Sequence, residues 1–384
     1  MAYRRAVVPA VVGSLLFTLL LWWAGASAQA LQLRGATGVF DIDSTNELLR
    51  WLTPWSYDPL IAPQPQEWEG GDPAMGAIDP YDRLYGTAMQ IRYVAVFVFF
   101  LAGALLLLRR IPPAEGRRTP AALSALWAWG PVAGTLAVTV SAPWLIASAG
   151  HGSYRVLPEL ASVIASSGPV TVFAGLPTAV LTVLVARVTA KGADPLPLRT
   201  VPPRAGRLAA GVGTAVVALS LVVLSYESVA ARIQTSFGGA GLLSEPGDLL
   251  RQWLLLGGWA GPSTTTLGDW LLYRIPEVLT LAVVWWGLRL LPTLLTRITV
   301  PATAAGAVCA TVLGLMASQV LHMAIDDTGA VWGPVHLFSR LGSGVPAALT
   351  FGTAAGIAAF LTLRWTGGAT AEPAVPGAVP TRVK

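Results

Sequence analysis

Few side chains in this sequence have both the type and the placement for chemistry. Glu227 and Glu277 stand at the edges of long apolar runs, and His322 and Asp326 lie at the edge of a third. The last two are four residues apart, which puts imidazole and carboxyl on one face of a helix. Histidine changes charge near neutral pH, and a carboxyl drawn partly out of water favours its neutral form. Brought together, Glu227, Glu277, His322 and Asp326 would make an acidic, titratable mouth, and they are the candidate substrate-binding residues. Boundary groups that point separately into water would leave the same pattern. Their spacings do not define a metal site.

A second acidic feature is Asp41-x-Asp43, which follows the first apolar run. Two such carboxylates can share a divalent cation with a sugar phosphate. Solvated acids ahead of a helix N-terminus, favoured by its dipole, give the same pattern. Cys309 is the single cysteine and lies in an apolar run, so no intrachain disulfide forms and the residue reads as small packing. The sequence has no GxxxxGK[ST] loop, no HExxH and no GxSxG. No Asp, Glu, Lys or His falls near the centre of a long apolar run, where ionisable groups mark ion pathways. No catalytic residue, metal or cofactor is assigned, and a self-contained ATPase is disfavoured.

The elements that must position these residues follow from composition. Only 12% of the residues are charged, 54% are hydrophobic and the mean hydropathy is +0.61. Soluble domains carry about 25% charged residues, and a helix needs about 20 apolar residues to cross a bilayer. Eight runs qualify, at 6–25, 91–108, 122–148, 164–186, 208–226, 275–295, 302–324 and 345–363. The expected fold class is all-α, a polytopic transmembrane protein whose first partner is the lipid bilayer. The first run also has the plan of a signal peptide, but an h-region of about 7–15 residues is shorter, so a retained helix is expected. The net charge of +5 does not indicate nucleic acid, because its distribution follows the membrane. With the N-terminus inside, the inner segments hold 16 of the 25 Lys and Arg, and only Glu115, Asp194 and Glu372 of the 20 acids. The positive-inside rule then places both termini in the cytoplasm. Arginine far outnumbers lysine beside abundant Ala, Gly, Val and Pro, which reads as GC-rich bacterial coding and a bacterial cytoplasmic membrane.

The runs fall into two sets of four. A first membrane repeat at 1–186 carries an outer loop at 31–90, and a second at 208–363 carries one at 227–274. Between them 187–207 is a basic connector stiffened by Pro195, Pro197, Pro202 and Pro203, and 364–384 reads as a disordered tail. Val12-Gly13-Ser14 matches Val212-Gly213-Thr214, and Leu48-Leu49-Arg50 matches Leu249-Leu250-Arg251. Leu84-Tyr85 matches Leu272-Tyr273, Ser167-Gly168 matches Ser343-Gly344, and Arg187-x-Thr189 matches Arg364-x-Thr366. Repeats with an even number of spans share one orientation, so two parallel four-helix repeats about an axis along the membrane normal are expected. Within the outer loops, Ser44-x-x-Glu47 has capping-box spacing. Leu48, Leu52 and Trp55, and Leu249, Trp253 and Leu256, recur at helical spacing, as in interfacial amphipathic helices.

Each set runs helix, outer loop, helix, inner turn, helix, short outer loop, helix. That layout resembles the membrane subunits of some ABC systems, and the resemblance implies a transport or permease-type subunit without its own ATPase. The basic inner loops around Arg109, Arg117 and Arg199 would then dock a separate cytoplasmic ATPase or face anionic lipid. A non-catalytic scaffold recruiting envelope proteins is the alternative in a second class. A third follows from the Asp41-x-Asp43 pair in the first outer loop, which resembles membrane glycosyltransferases of the lipid-linked-sugar type. Reporter fusions after Asp72 and Gly261 are expected to read outside, and fusions after Gly116 and Gly192 inside. An inside signal from either long loop would overturn this topology.

Overall fold

The computed structural model describes residues 2–31, 42–57, 80–113, 118–148, 156–190, 201–235, 246–261, 266–325, 335 and 338–367. Helices account for the architecture, and among the described residues no strand forms beyond an isolated bridge between Tyr226 and Trp259. In order they are α1 (Ala2–Leu31), α2 (Ile42–Leu52), α3 (Pro80–Arg110), α4 (Arg118–Ser148), α5 (Val156–Ser166) and α6 (Gly168–Thr189). After the connector come α7 (Pro203–Ala218), continued by a π-helical turn at Leu219–Leu224, then α8 (Glu227–Thr235), α9 (Gly247–Leu254) and α10 (Leu267–Leu272). The chain ends in α11 (Ile275–Leu294), α12 (Val300–Ile325) and α13 (Val345–Trp365). Among the described residues eight helical stretches are long and apolar enough to cross a membrane. The expected fourth span differs in detail, because a break at Ser167 separates α5 from α6. The tail beyond residue 367 and most of the first long loop lie outside the described residues.

Pro169, Pro203, Pro276 and Pro346 occupy first-turn positions of α6, α7, α11 and α13, where a missing N–H costs nothing. Hydroxyls inside the spans bond their own helix: Ser14 Oγ donates to the Ala10 carbonyl at 2.7 Å and Thr182 Oγ1 to that of Thr178 at 2.7 Å. Such groups have no water to turn to in hydrocarbon.

The eight long helices form two rings of four. α1 and α4 each pack on α3 and α6, while α7 and α12 each pack on α11 and α13. The third long helices, α4 and α12, meet back to back, and Cys309 Sγ lies 3.4 Å from the Ala125 carbonyl there. At the connector end, Thr296 N–H donates to the Arg110 carbonyl at 2.9 Å. Close contacts recur at matching separations. A Cβ on Gly13 would meet Thr182 and Phe100, and one on Gly213 would meet Ala359 and Leu288. Phe100 and Leu288 are 188 residues apart, as are Tyr85 and Tyr273; Thr182 and Ala359 are 177 apart, as are Thr189 and Thr366. Gly103 faces Trp129, while Leu291 faces Gly306, the same pairing with large and small exchanged.

At the loop-bearing end of the first ring, the chain after α2 makes a 3₁₀ turn at Thr53–Trp55 and dives into the bundle. Three successive carbonyls are met by side chains of α3. Arg92 Nη1 donates to Pro54, Tyr93 to Trp55 at 2.5 Å and Tyr85 to Ser56 at 2.7 Å. Arg92 is 1% exposed and its Nε also donates to Ser141 Oγ at 2.8 Å. Trp51 and Trp55, whose spacing suits anchors at a lipid interface, are instead buried against protein. A carbonyl-rich corner can enter the bundle only with donors waiting for it, and the indoles fill the space beneath. Tyr57 stacks on Tyr93 with centroids 5.3 Å apart, and burial pushes its phenol above its ordinary range.

Gly25 makes this corner possible, since a Cβ there would lie 1.8 Å from the Trp55 carbonyl oxygen. Gly25→Leu is therefore expected to cost at least about 1–3 kcal/mol through overpacking and to lower the melting temperature in detergent. Gly86, with open space around its Cα, should gain about 0.5–1 kcal/mol on change to Ala. Equal melting of Gly25→Leu and wild type would refute the packing argument.

Candidate functional site

The loop-bearing end of the second ring holds a cavity of about 270 Å³. α11 contributes Glu277 and Thr280, three residues apart and so on one helical face. α12 contributes Leu315, Ser318, Gln319, His322 and Met323, again a single face. Leu221 enters from the π-helical turn, Leu256, Gly257 and Gly258 from the strap after α9, and Arg340 and Ser343 from the approach to α13. A second cavity of about 510 Å³ shares Leu256, Gly257, Gly258 and Ser343 with the first. It reaches Ile164 and Ala165 of the first ring, and Asp248, Arg251 and Gln252 of α9.

Two local devices shape these walls. The π-helical turn lets Ser220 and Ser225 grip the strap: Ser220 Oγ donates to the Leu254 carbonyl at 2.5 Å and accepts from Leu256 N–H at 3.2 Å. Ser225 Oγ accepts from Gly257 N–H at 3.2 Å, and Trp259 Nε1–H donates to the Val222 carbonyl at 3.0 Å. A π turn widens the helix and often sits at functional sites. Opposite, Gln319 clamps the turn into α13. Its amide nitrogen donates to the Ser343 carbonyl and Oγ at 3.0 Å each, and its oxygen accepts from Gly342 N–H at 3.0 Å.

Charge is concentrated on one flank. Arg274 and Glu277 form an ion pair at 2.5 Å, with side chains about one-fifth exposed (21% and 22%). The guanidinium also lies 5.8 Å from the ring centres of Trp259 and Trp270, a cation–π arrangement. Tyr226 extends the aromatic group, 4.8 Å from Trp259.

Of the four residues expected to form a mouth, the structure brings two together. Glu277 and His322 line the same cavity from different helices. Glu227 does not: it is exposed at the start of α8, and its backbone N–H donates to the Trp259 carbonyl at 2.9 Å. Asp326 lies outside the described residues, just past the end of α12. Asp43 is exposed in the first turn of α2, and Asp41 lies outside the described residues. Among the described residues no group of three His, Cys, Asp or Glu is placed to hold a metal. Sequence reasoning passed over Thr280, Ser318, Gln319 and Arg340. The first three had a readable signal, standing three or four residues from Glu277 or His322; Arg340 had none.

Comparison with protein-family models, curated proteins and solved structures returns no match. The fold by itself defines the class: an all-α, multi-pass membrane protein with eight candidate spans.

Gly342 has φ +78, and a Cβ on it would meet Gly168 Cα at 2.9 Å. Gly342→Ala is expected to cost about 1–3 kcal/mol through the left-handed backbone and to lower the melting temperature of the full-length protein. An unchanged melting temperature would show that this turn does not hold the wall.

Proposed function

We propose that this protein is a transport or permease-type subunit of a bacterial cytoplasmic membrane, working with a separate ATPase. The cavity of Glu277 and His322 would be its extracytoplasmic solute site. The observation that carries the reading is that these residues, on two different spans, line one polar cavity at the loop-bearing end. A pocket between spans with a few convergent polar groups is the usual form of a small-solute site.

The proposal includes an internal duplication related by an axis along the membrane normal. Supporting it are the shared order of packing in the two rings and the Gly13 and Gly213 contacts at matching separations. It also includes an orientation with both termini cytoplasmic. Asp43, Glu47, Glu227, Asp248, Asp269 and Glu277 all belong to the loop-bearing end. Arg109, Arg110, Arg187, Arg204, Arg207, Arg297 and Arg364 cluster at the connector end, which suits the positive-inside rule. That basic end would dock the ATPase.

Affinity purification from native membrane tests the reading. An ATPase is expected to co-purify, and its stimulated turnover should fall at least about tenfold in a Glu277→Gln, His322→Gln double variant that keeps normal abundance, a loss of about 1.4 kcal/mol in barrier lowering. Recovery of envelope or glycan-assembly proteins without an ATPase would overturn the permease reading.

A further inference from the structure

The cavity occupies a place that the first ring fills with its own arginine. Residues of α3 and α11 correspond at a separation of 188, which pairs Arg92 with Thr280. Residues of α4 and α12 correspond at 177, which pairs Ser141 with Ser318. Both serines make the same local bond, Ser141 Oγ donating to the Val138 carbonyl at 3.1 Å and Ser318 Oγ to that of Leu315 at 2.8 Å. Val138 and Leu315 are themselves 177 apart. The amphipathic helices correspond at 201, as Leu48-Leu49-Arg50 does with Leu249-Leu250-Arg251, so Trp55 pairs with Leu256 and Trp51 with Gln252. Thus the first ring holds a guanidinium between Ser141 and the Pro54 carbonyl, with Trp55, next along the chain, fully buried. In the second ring the same place is lined by Thr280, Ser318 and the smaller Leu256, and it is open.

Resting on the solute-site reading above, we propose that this cavity binds a ligand bearing a guanidinium or primary ammonium group, in the position that Arg92 takes in the first ring. Two of the hydroxyls that line it, those of Thr280 and Ser318, are committed as donors to the backbone. Thr280 Oγ1 gives its proton to the Pro276 or Gly314 carbonyls, at 3.1 and 3.3 Å, and Ser318 Oγ to Leu315. What they turn to a ligand is lone pairs, as Ser141 does to Arg92. Glu277 adds a carboxylate where the first ring has Met89, at the 188 separation. In the adjoining cavity Gln252 spends its amide nitrogen on the Ala161 carbonyl, and its buried oxygen has no partner among the described residues. These acceptors suit a ligand rich in N–H groups, and the side-chain N–H donors of the same lining, beside the Gln319 amide, are those of His322 and Arg340. Two cations oppose this. Arg274 neutralises part of Glu277 from outside the lining, and Arg340 belongs to the lining itself, exposed enough for water and salt to screen it. The space left by exchanging Trp55 for Leu256 accommodates an aliphatic stem behind the charged head.

Thiol labelling of the full-length protein reads the cavity directly, because Cys309 is the sole native cysteine and is buried. Ser318→Cys, with Ser343→Cys as a second probe, is treated with cationic and anionic methanethiosulfonate reagents. Relative to free thiol, the cationic reagent should react faster by about tenfold or more. Glu277→Gln should reduce that preference, and Arg340→Gln should increase it. Guanidinium or agmatine at millimolar concentration should protect the cysteine, and inorganic phosphate should not. Faster anionic labelling, or protection by phosphate, would overturn the ligand class. So would labelling with no charge preference and no protection by guanidinium, while leaving the cavity as a solute site. If neither reagent reaches either cysteine but both label exposed Ser228→Cys on α8, the solute-site reading itself falls, and this inference with it.

Discussion

A chain that lives in a bilayer must satisfy its backbone from within, and the hardest place is where a surface helix turns back into the bundle. At that corner the carbonyls of Pro54, Trp55 and Ser56 leave regular hydrogen bonding while being buried. Leaving one such group unmet costs about 1–3 kcal/mol. Arg92, Tyr93 and Tyr85 meet all three from a single helix. The remainder of the first ring is arranged to permit this. Gly25 opens α1 for the Trp55 carbonyl, Ser141 of α4 receives the second arm of the guanidinium, and Trp55 seals the corner.

The second ring faces the same problem and answers it with smaller groups. Ser220 and Ser225 hold the strap from the widened end of α7, and Gln319 holds the turn into α13. Hydroxyls and an amide occupy less volume than an arginine and two tyrosines. Leu256 lines both cavities there and Gln252 the second, while Trp51 and Trp55 are buried at the corner of the first ring. The first ring is thereby filled at its Arg92 corner, while the second leaves open space. That difference between the rings places the open space in the second one.

The strap and the Gly342 turn form walls of both cavities, and Gly342 abuts Gly168 at the start of α6. The charged flank is braced differently, by Arg274 between Glu277 and two indoles, so that the carboxylate stays in place when the cavity is empty.

The sequence alone determined the membrane class, the eight spans and the concentration of acids at one end, because each depends on local composition and on the fixed thickness of hydrocarbon. It also placed Glu277 and His322 at span ends. What it left undecided was which boundary residues share a space. Glu227 and Glu277 look equivalent along the chain, yet only Glu277 lines the cavity, since the π turn and the strap carry Glu227 out to the surface. Arg92, the second residue of the 91–108 run, carried no signal that set it apart, yet it is buried at the corner of the first ring. Arg340 joined the site from a segment with no pattern of its own. Burial and convergence are properties of packed helices, set by contacts between residues far apart in sequence, and only the tertiary structure decided them.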